Sequence, residues 1–154
     1  MGEHKNNRLV IFSVLLTLAS AAVITWFSSQ DGGQSNGLSQ ELAVWILSLL
    51  SRENTPENLK LLNGFLRKLA HFTLYFLLGL GLTGLVHRQK RLPPGLLAVM
   101  FGALFAAGDE FHQRFSLGRT ASGWDVLLDT CGVAAGWLCF EITQALRMRN
   151  RSKR

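Results

Sequence analysis

Residues 9–27, with the sequence LVIFSVLLTLASAAVITWF, form a run of nineteen residues without a charged side chain. A helix of about 20 apolar residues is long enough to cross the hydrocarbon core of a bilayer. Lys5 and Arg8 precede the run, and basic residues also precede the apolar core of a signal peptide. However, no small-x-small cleavage site directly follows a shorter apolar core, and Trp26 with Phe27 is typical of an interfacial anchor. The stretch therefore predicts an uncleaved first membrane span.

Three more apolar stretches follow, at residues 69–86, 92–108 and 126–146. The middle one is short for a full crossing, so we expect a tilted helix or a buried outer end. Together the four stretches predict an all-α integral membrane protein built as a bundle of four transmembrane helices. The second stretch contains Gly79, Gly81 and Gly84, and the fourth contains Gly132 and Gly136. Small residues of this kind let helices approach closely in a membrane.

Composition and charge agree with a membrane protein. Hydrophobic residues make up 48% of the chain and charged residues only 17%, against about 25% charged in soluble domains. Ten of the 16 Lys and Arg residues lie in residues 1–8, 88–91 and 147–154. Positive residues stay in the cytoplasm, so the pattern predicts both termini inside, in the inner membrane. The net charge of +6 then indicates topology and contact with anionic membrane lipids, and no binding of nucleic acid.

The same topology divides the chain into a cytoplasmic N-terminus at 1–8, one membrane domain at 9–146 and a basic cytoplasmic tail at 147–154. Residues 28–40, SSQDGGQSNGLSQ, are predicted to form a polar, turn-rich outer loop. Residues 41–50 are apolar but too few to span. They predict a short helix, capped by Ser39, that lies at the outer interface or against the bundle. Pro56 and Glu57 predict a further helix start that leads into the second span.

Rare polar side chains fall at the span ends that this topology places outside. They are Ser29 and Gln30 after the first span, Lys68, His71 and Tyr75 in the second, Asp109, Glu110, His112 and Gln113 after the third, and Asp125 and Asp129 in the fourth. Spacings of three and four place Lys68, His71 and Tyr75 on one helix face. An ionisable group inside a span costs several kcal/mol unless it is paired or hydrated. We therefore expect a shared polar pocket that faces outward, although caps and interhelical hydrogen bonds explain single residues.

Four motifs in this sequence resemble those of VanZ-like membrane proteins, in the family's order. They are WFSSQDG at 26–32, RKxxHFxxYxxLG at 67–79, DExxQxFxxGRxxSxxDV at 109–126 and DTxG at 129–132. Leu117 stands where a proline often precedes the glycine. The founding member of the family is associated with low-level resistance to the glycopeptide antibiotic teicoplanin. The resemblance thus implies a small bacterial membrane protein that acts at the cell envelope.

Two functions remain open at this point. In the favoured one, the pocket binds or modulates an envelope lipid or a glycopeptide-type antibiotic. Arg119 and Lys68 would hold an anionic group, and the ligand would also meet polar side chains from all four spans. These are Tyr75, Gln113, Asp125, Asp129, Ser29 and Gln30.

In the other function, the protein is a hydrolase or transferase that acts on a lipid-linked envelope substrate. Asp109, Glu110, His112 and His71 would be its acid–base groups, or would bind a divalent metal. No H-E-x-x-H or Cys/His metal motif is present, so no cofactor is evident. Cys131 and Cys139 are expected to be packed, reduced thiols. The sequence does not fix the oligomeric state.

Overall fold

The computed structural model describes residues 2–30, 32–50, 53–87, 92–115 and 122–152, and it folds them into five α-helices without a strand in these ranges. The helices are α1 (Gly2–Ser29), α2 (Gly32–Leu49), α3 (Pro56–Val86), α4 (Pro94–Gln113) and α5 (Gly123–Ser152). Four of them, all except α2, contain segments long and apolar enough to cross a membrane. The predicted all-α class with four transmembrane helices is confirmed.

The surface of the bundle is strongly apolar, as lipid-facing helices require. Phe12 of α1, Leu104 of α4 and Ile142 of α5 are each more than half exposed. Cys131 and Cys139 are also exposed on α5, so the expectation that these thiols are packed is wrong. Their positions on the helix turn them away from the α3–α5 contact. The buried core is small and draws on all four long helices, with Ile24 and Tyr75 among its members.

The loop predicted at residues 28–40 is a helix for most of its length. Helix α2 begins at Gly32, so Ser39 lies inside the helix and does not cap it. The helix packs against α3 and buries Ala43 and Leu47, which are one turn apart. Packing of such a face supplies most of a helix's stability. It outweighs the weak helix propensity of the glycines in the first part of α2.

Helix α3 starts where the sequence predicts and continues into the second span without a break. Thr55 is its N-cap, and the side-chain oxygen of Thr55 accepts a hydrogen bond from the Asn58 backbone N–H at 3.3 Å. Pro56 occupies the first turn, where its missing N–H costs nothing. The resulting helix packs against each of the other four helices, and so α3 is the central element of the fold.

Glycines bring α3 and α5 into backbone contact. A Cβ atom on Gly132 would lie 2.7 Å from the carbonyl oxygen of Phe72, and one on Gly136 would lie 2.8 Å from the backbone nitrogen of Leu80. Any larger side chain would force the two helices apart. The contacts advance in the same direction along both helices, so α3 and α5 run parallel. The close approach predicted from these glycines is therefore present.

Helices α1 and α4 run the opposite way. Gly81 of α3 faces Thr17 of α1, whereas the later Gly84 faces the earlier Ser13. Since α1 and α4 end where α5 begins, one end of the bundle collects the last turns of two helices and the first turn of a third. This end carries the candidate site.

Candidate functional site

Seven polar side chains meet at this end of the bundle, and all except His71 are buried. They come from all four long helices. We call them the polar cluster: Ser28 of α1, His71 and Tyr75 of α3, Asp109, Glu110 and Gln113 of α4, and Asp129 of α5.

Gln113 joins the end of α4 to the end of α1. Asp109 and Gln113 are four residues apart and share one helix face. The side-chain Nε2 of Gln113 donates to Asp109 Oδ2 at 3.0 Å and to Ser28 Oγ at 3.1 Å. All three side chains are buried, so the amide fixes two helix ends against each other.

Glu110 joins α4 to the start of α5. Its carboxylate accepts a hydrogen bond from the backbone N–H of Ser122, the residue before the helix. A negative group is favourable at a helix N-terminus, where backbone N–H groups lack helical partners. Glu110 therefore has a positioning role for α5, whatever else it does.

His71 and Asp129 form a pair between α3 and α5. His71 Nδ1 lies 3.6 Å from Asp129 Oδ2, and the two side chains are 24% and 3% exposed. The imidazole also stacks on the ring of Tyr75, with the ring centroids 6.5 Å apart. A carboxylate in this position orients the imidazole.

Tyr75 lies at the centre of the cluster and is completely buried. The carboxyl groups of Asp109, Glu110 and Asp129 surround it closely enough to act on its hydroxyl electrostatically. Of these groups, Asp109 lies within hydrogen-bonding reach of the hydroxyl, whereas Asp129 Oδ1 has no hydrogen-bond partner within the described part of the chain. A buried polar atom without a partner costs about 1–3 kcal/mol, so this oxygen, in a cluster with the buried Tyr75 hydroxyl, indicates a place for an added polar group.

An apolar groove lies beside the cluster, between α1, α2 and α3. Its volume is about 540 Å³, within the roughly 300–1,000 Å³ typical of ligand sites. Its apolar lining includes Ile24 and Phe27 of α1, Leu42 of α2, and Leu66, Leu69 and Leu74 of α3. Arg67 and His71 also line it, and His71 therefore belongs to both the groove and the polar cluster.

Several predicted site residues are not brought into the cluster. Lys68 and His112 are exposed. Ser29 is exposed too, and its hydroxyl donates to the Trp26 carbonyl at 2.8 Å within its own helix. Asp125 is half-buried in the first turn of α5. Arg119 lies outside the described residues.

Gln30 is half-buried just after α1, and its side-chain oxygen has no hydrogen-bond partner among the described residues. As for metals, the described ranges contain no group of three or more His, Cys, Asp or Glu side chains arranged to hold an ion. A divalent metal remains a prediction from residue types alone.

Two residues matter more than the sequence suggested. Ser28 joins the cluster in place of the selected Ser29, and Arg67 lines the groove whereas Lys68 is exposed. Helical spacing contained a signal for both. Ser28 is one turn from the buried Ile24, and Arg67 is one turn from His71, which is itself one turn from Tyr75.

Comparison with known proteins gives a family. A family model described as VanZ/LLP1 matches residues 12–144, most of the chain. Searches of curated proteins and of solved structures returned no match. The matched range includes every member of the polar cluster and the whole groove lining. The chain belongs to the VanZ-like family of membrane proteins.

Proposed function

We propose that the protein binds the polar part of a cell-envelope lipid, or of a glycopeptide antibiotic such as teicoplanin, in the polar cluster. The observation that carries the proposal is the buried oxygen Asp129 Oδ1, which lacks a hydrogen-bond partner among the described residues and belongs to the same cluster as the buried Tyr75 hydroxyl. Stability alone does not require such atoms, because an apolar replacement of the same shape would avoid their cost.

The chemistry of the cluster favours ligands that donate hydrogen bonds. Asp109, Glu110 and Asp129 are acceptors when ionised, and no Lys or Arg belongs to the cluster as defined. Hydroxyl and ammonium groups, which envelope lipids and glycopeptides both carry, complement these acceptors. Arg119 and Lys68 remain the predicted partners for an anionic part of the same ligand.

The distribution of basic residues supports an outward-facing site in the inner membrane. Residues 1–8, 88–91 and 147–154 are the basic segments, and the positive-inside tendency keeps such segments in the cytoplasm. The cluster lies at the other end of the four long helices. A ligand would therefore enter from the outer leaflet or the extracytoplasmic space.

Tyr75 offers a direct test, because it is the only tyrosine in the chain. Protein labelled with 3-fluorotyrosine gives one ¹⁹F resonance from the centre of the cluster. We expect saturable shifts of this resonance when phosphatidylethanolamine, phosphatidylglycerol or teicoplanin is titrated into protein in nanodiscs.

Adjacent serines supply the matched controls. Ser28→Ala removes the acceptor that holds Gln113 and should weaken binding about threefold to tenfold, roughly 1 kcal/mol. Ser29→Ala removes a bond within α1 and should leave affinity unchanged. A resonance that no ligand class shifts, or equal loss in both variants, would contradict the proposal.

A second function, a membrane-embedded hydrolase or transferase, is favoured by one specific observation. The His71–Asp129 pair has the arrangement in which a carboxylate orients an imidazole for general-base catalysis. His71 also lines the groove, so an ester or phosphate of a bound lipid would lie beside it.

Turnover of envelope lipids by purified protein, measured with and without EDTA, tests this second function. His71→Gln and Asp109→Asn should abolish turnover while the protein stays folded. Glu110→Gln is a poorer probe, since Glu110 also positions the start of α5. If the protein binds the tested lipids saturably but turns over none of them, catalysis on those lipids is excluded.

A further inference from the structure

We infer that the polar cluster selects its ligand by a protonated primary amine, whose ammonium group binds at Asp129 beside Tyr75. This inference rests on the proposed function and deepens it, because it names the chemical group that the site recognises. An aminophospholipid head group and a glycopeptide are both sources of such an amine, and the test has a separate arm for each source.

The cluster contains more negative than positive charge. Asp109, Glu110 and Asp129 contribute three carboxylates, and among the members of the cluster only His71 can become positively charged. Within the described ranges, no Lys or Arg forms an ion pair with any of the three carboxylates. The carboxylates lie close enough to act on one another electrostatically, and repulsion between like charges is stronger in a buried site than in water. A cationic ligand therefore complements the cluster better than a neutral one.

Neutral donors supply the hydrogen bonds that two of these carboxylates accept in the described part of the chain. Asp109 accepts from the side-chain amide of Gln113 at 3.0 Å, and Glu110 accepts from the backbone N–H of Ser122. Such bonds satisfy lone pairs but add no positive charge. Burial of an unbalanced charge costs far more than burial of a hydrogen-bonded neutral group. A hydroxyl ligand would leave that cost in place, whereas an ammonium ligand would reduce it.

Asp129 offers the acceptor that an ammonium group requires. Its Oδ2 lies 3.6 Å from His71 Nδ1, and its Oδ1 has no hydrogen-bond partner among the described residues. Tyr75 is close by, since a Cβ atom on Gly132, about one turn after Asp129, would lie 3.1 Å from Tyr75 Cβ. When the Tyr75 hydroxyl donates to Asp109, which is within its reach, its oxygen is left to accept. Asp129 and Tyr75 thus provide neighbouring acceptors for one ammonium group.

Access to these acceptors is at His71. The His71 side chain is 24% exposed, whereas the other members of the cluster are buried. His71 also lines the groove between α1, α2 and α3, and Asp129 is its neighbour on the inner side. A primary ammonium is compact and has three N–H donors. On a short chain it needs to pass only this one side chain to meet Asp129.

Titration of the Tyr75 ¹⁹F resonance with matched lipids tests the inference. The host nanodisc contains phosphatidylethanol, which has a phosphate and a two-carbon group but no amine. Phosphatidylethanolamine replaces the host lipid stepwise, and phosphatidylcholine, which has the same charge but no N–H donor, replaces it in a parallel series. We expect a saturable shift with phosphatidylethanolamine and an apparent affinity about tenfold weaker with phosphatidylcholine, because charge-assisted hydrogen bonds are lost.

Teicoplanin supplies the second arm of the test. Added to protein in the same host nanodisc, it should shift the resonance saturably. Teicoplanin whose amino groups have been acetylated should bind about tenfold more weakly. A preference for the amine in the lipid series alone assigns the site to an aminophospholipid. The same preference in the antibiotic series alone assigns it to a glycopeptide.

Two variants connect the preference for an amine to Asp129. Asp129→Asn keeps the shape of the side chain and removes its charge, so this variant should bind phosphatidylethanolamine and phosphatidylcholine with similar affinities. A ratio of two affinities is measured on folded protein only, and a purely structural role would not change it. Glu141→Gln, in the exposed pair of α5, should keep the wild-type ratio. If Asp129→Asn does not fold, the two series on the wild-type protein decide the question.

Three outcomes would overturn the inference. The first is equal affinity within both the lipid pair and the antibiotic pair, and the second is a wild-type preference retained in Asp129→Asn. The third is a preference that arises only after Arg119→Gln, because this arginine would then balance the carboxylates in place of a ligand. A saturable shift in any of these cases leaves the proposed function intact. A resonance that no lipid and no antibiotic shifts would instead contradict the proposed function itself.

Discussion

Two histidine–carboxylate pairs join α5 to α3, or to the residue that caps α3, at opposite ends of the bundle. His71 Nδ1 lies 3.6 Å from Asp129 Oδ2, and His87 Nδ1 lies 3.6 Å from Glu141 Oε1. The surroundings differ sharply, since the Asp129 side chain is 3% exposed and the Glu141 side chain 39%. The same pair distance therefore occurs once in a buried polar cluster and once at a partly exposed helix end.

Burial decides what such a pair can do. An exposed pair contributes roughly 0–1 kcal/mol, because water competes for both partners. The buried Asp129 has lost water on all sides, and one of its oxygens lacks a partner among the described residues. Its carboxylate is available to a ligand inside a buried cluster, whereas the Glu141 carboxylate is open to water, which is why we assign the function to one end of the bundle.

The largest expected effect concerns which end faces outside. In a variant whose native cysteines are replaced, Gln34→Cys should react with an impermeant maleimide from the outside. Arg147→Cys should react only after the membrane is permeabilised. The reverse pattern would place the His87–Glu141 pair outside and refute the proposed orientation of the site.

The second-largest effect is expected at the contact between α3 and α5, which supports both pairs. Gly136 lies between Asp129 and Glu141 on α5, and the three atoms nearest to a Cβ added there are backbone atoms of α3. Gly136→Ala should lower the free energy of unfolding in mixed micelles by about 1–3 kcal/mol, because the helices must separate. Gly108→Ala is the control, since a Cβ there meets nothing within 4 Å. Equal effects in both would show that the α3–α5 contact is not tight.

Breaking each pair in turn tests the comparison itself. Asp129→Asn should weaken ligand binding about tenfold, a loss of roughly 1.4 kcal/mol, because the buried acceptor and the partner of His71 are both changed. Glu141→Gln should leave affinity within about twofold, as expected for an exposed pair. The ¹⁹F titration measures both, and similar losses in the two variants would mean that burial is not the deciding factor.

A smaller effect is expected at Gln113, whose side chain joins the ends of α1 and α4 in the polar cluster. Gln113→Leu removes hydrogen bonds to Asp109 and Ser28 and should cost about 1 kcal/mol of unfolding free energy. The neighbouring His112 is exposed, so His112→Leu should change stability by less than about 0.5 kcal/mol. Chemical unfolding of both variants in micelles gives the comparison, and a larger loss for His112→Leu would contradict the arrangement described here.

Sequence patterns identified the spanning helices well and the outer segment poorly. The apolar run at 9–27 lies within α1, and the helix start at Pro56 is where the sequence placed it. The segment 28–40 was expected to be a loop because of its glycines and polar residues, yet α2 covers most of it. Contact of Ala43 and Leu47 with the bundle stabilises a helix that local propensity does not favour.

Most of the polar residues that the sequence selected for the site lie at one end of the bundle, but the sequence did not show which of them contact one another. Adjacent helical residues point about 100° apart, so a shift of one position moves a side chain from the interior to the surface. Ser28 is buried and Ser29 exposed, and Gln113 is buried whereas His112 is exposed. No pattern within one helix states which face meets its neighbours when both faces carry polar groups.

The amino-acid sequence by itself determined that four helices of this chain suit a membrane, because apolar length depends on no other part of the molecule. The sequence also showed that the acidic residues of the candidate site, with the family motifs that contain them, lie near span ends on one side of the bundle. Only the tertiary structure decided that His71 meets Asp129 in a buried cluster while His87 meets Glu141 near the surface. Burial is a property of several helices packed together, and no single stretch of sequence contains it.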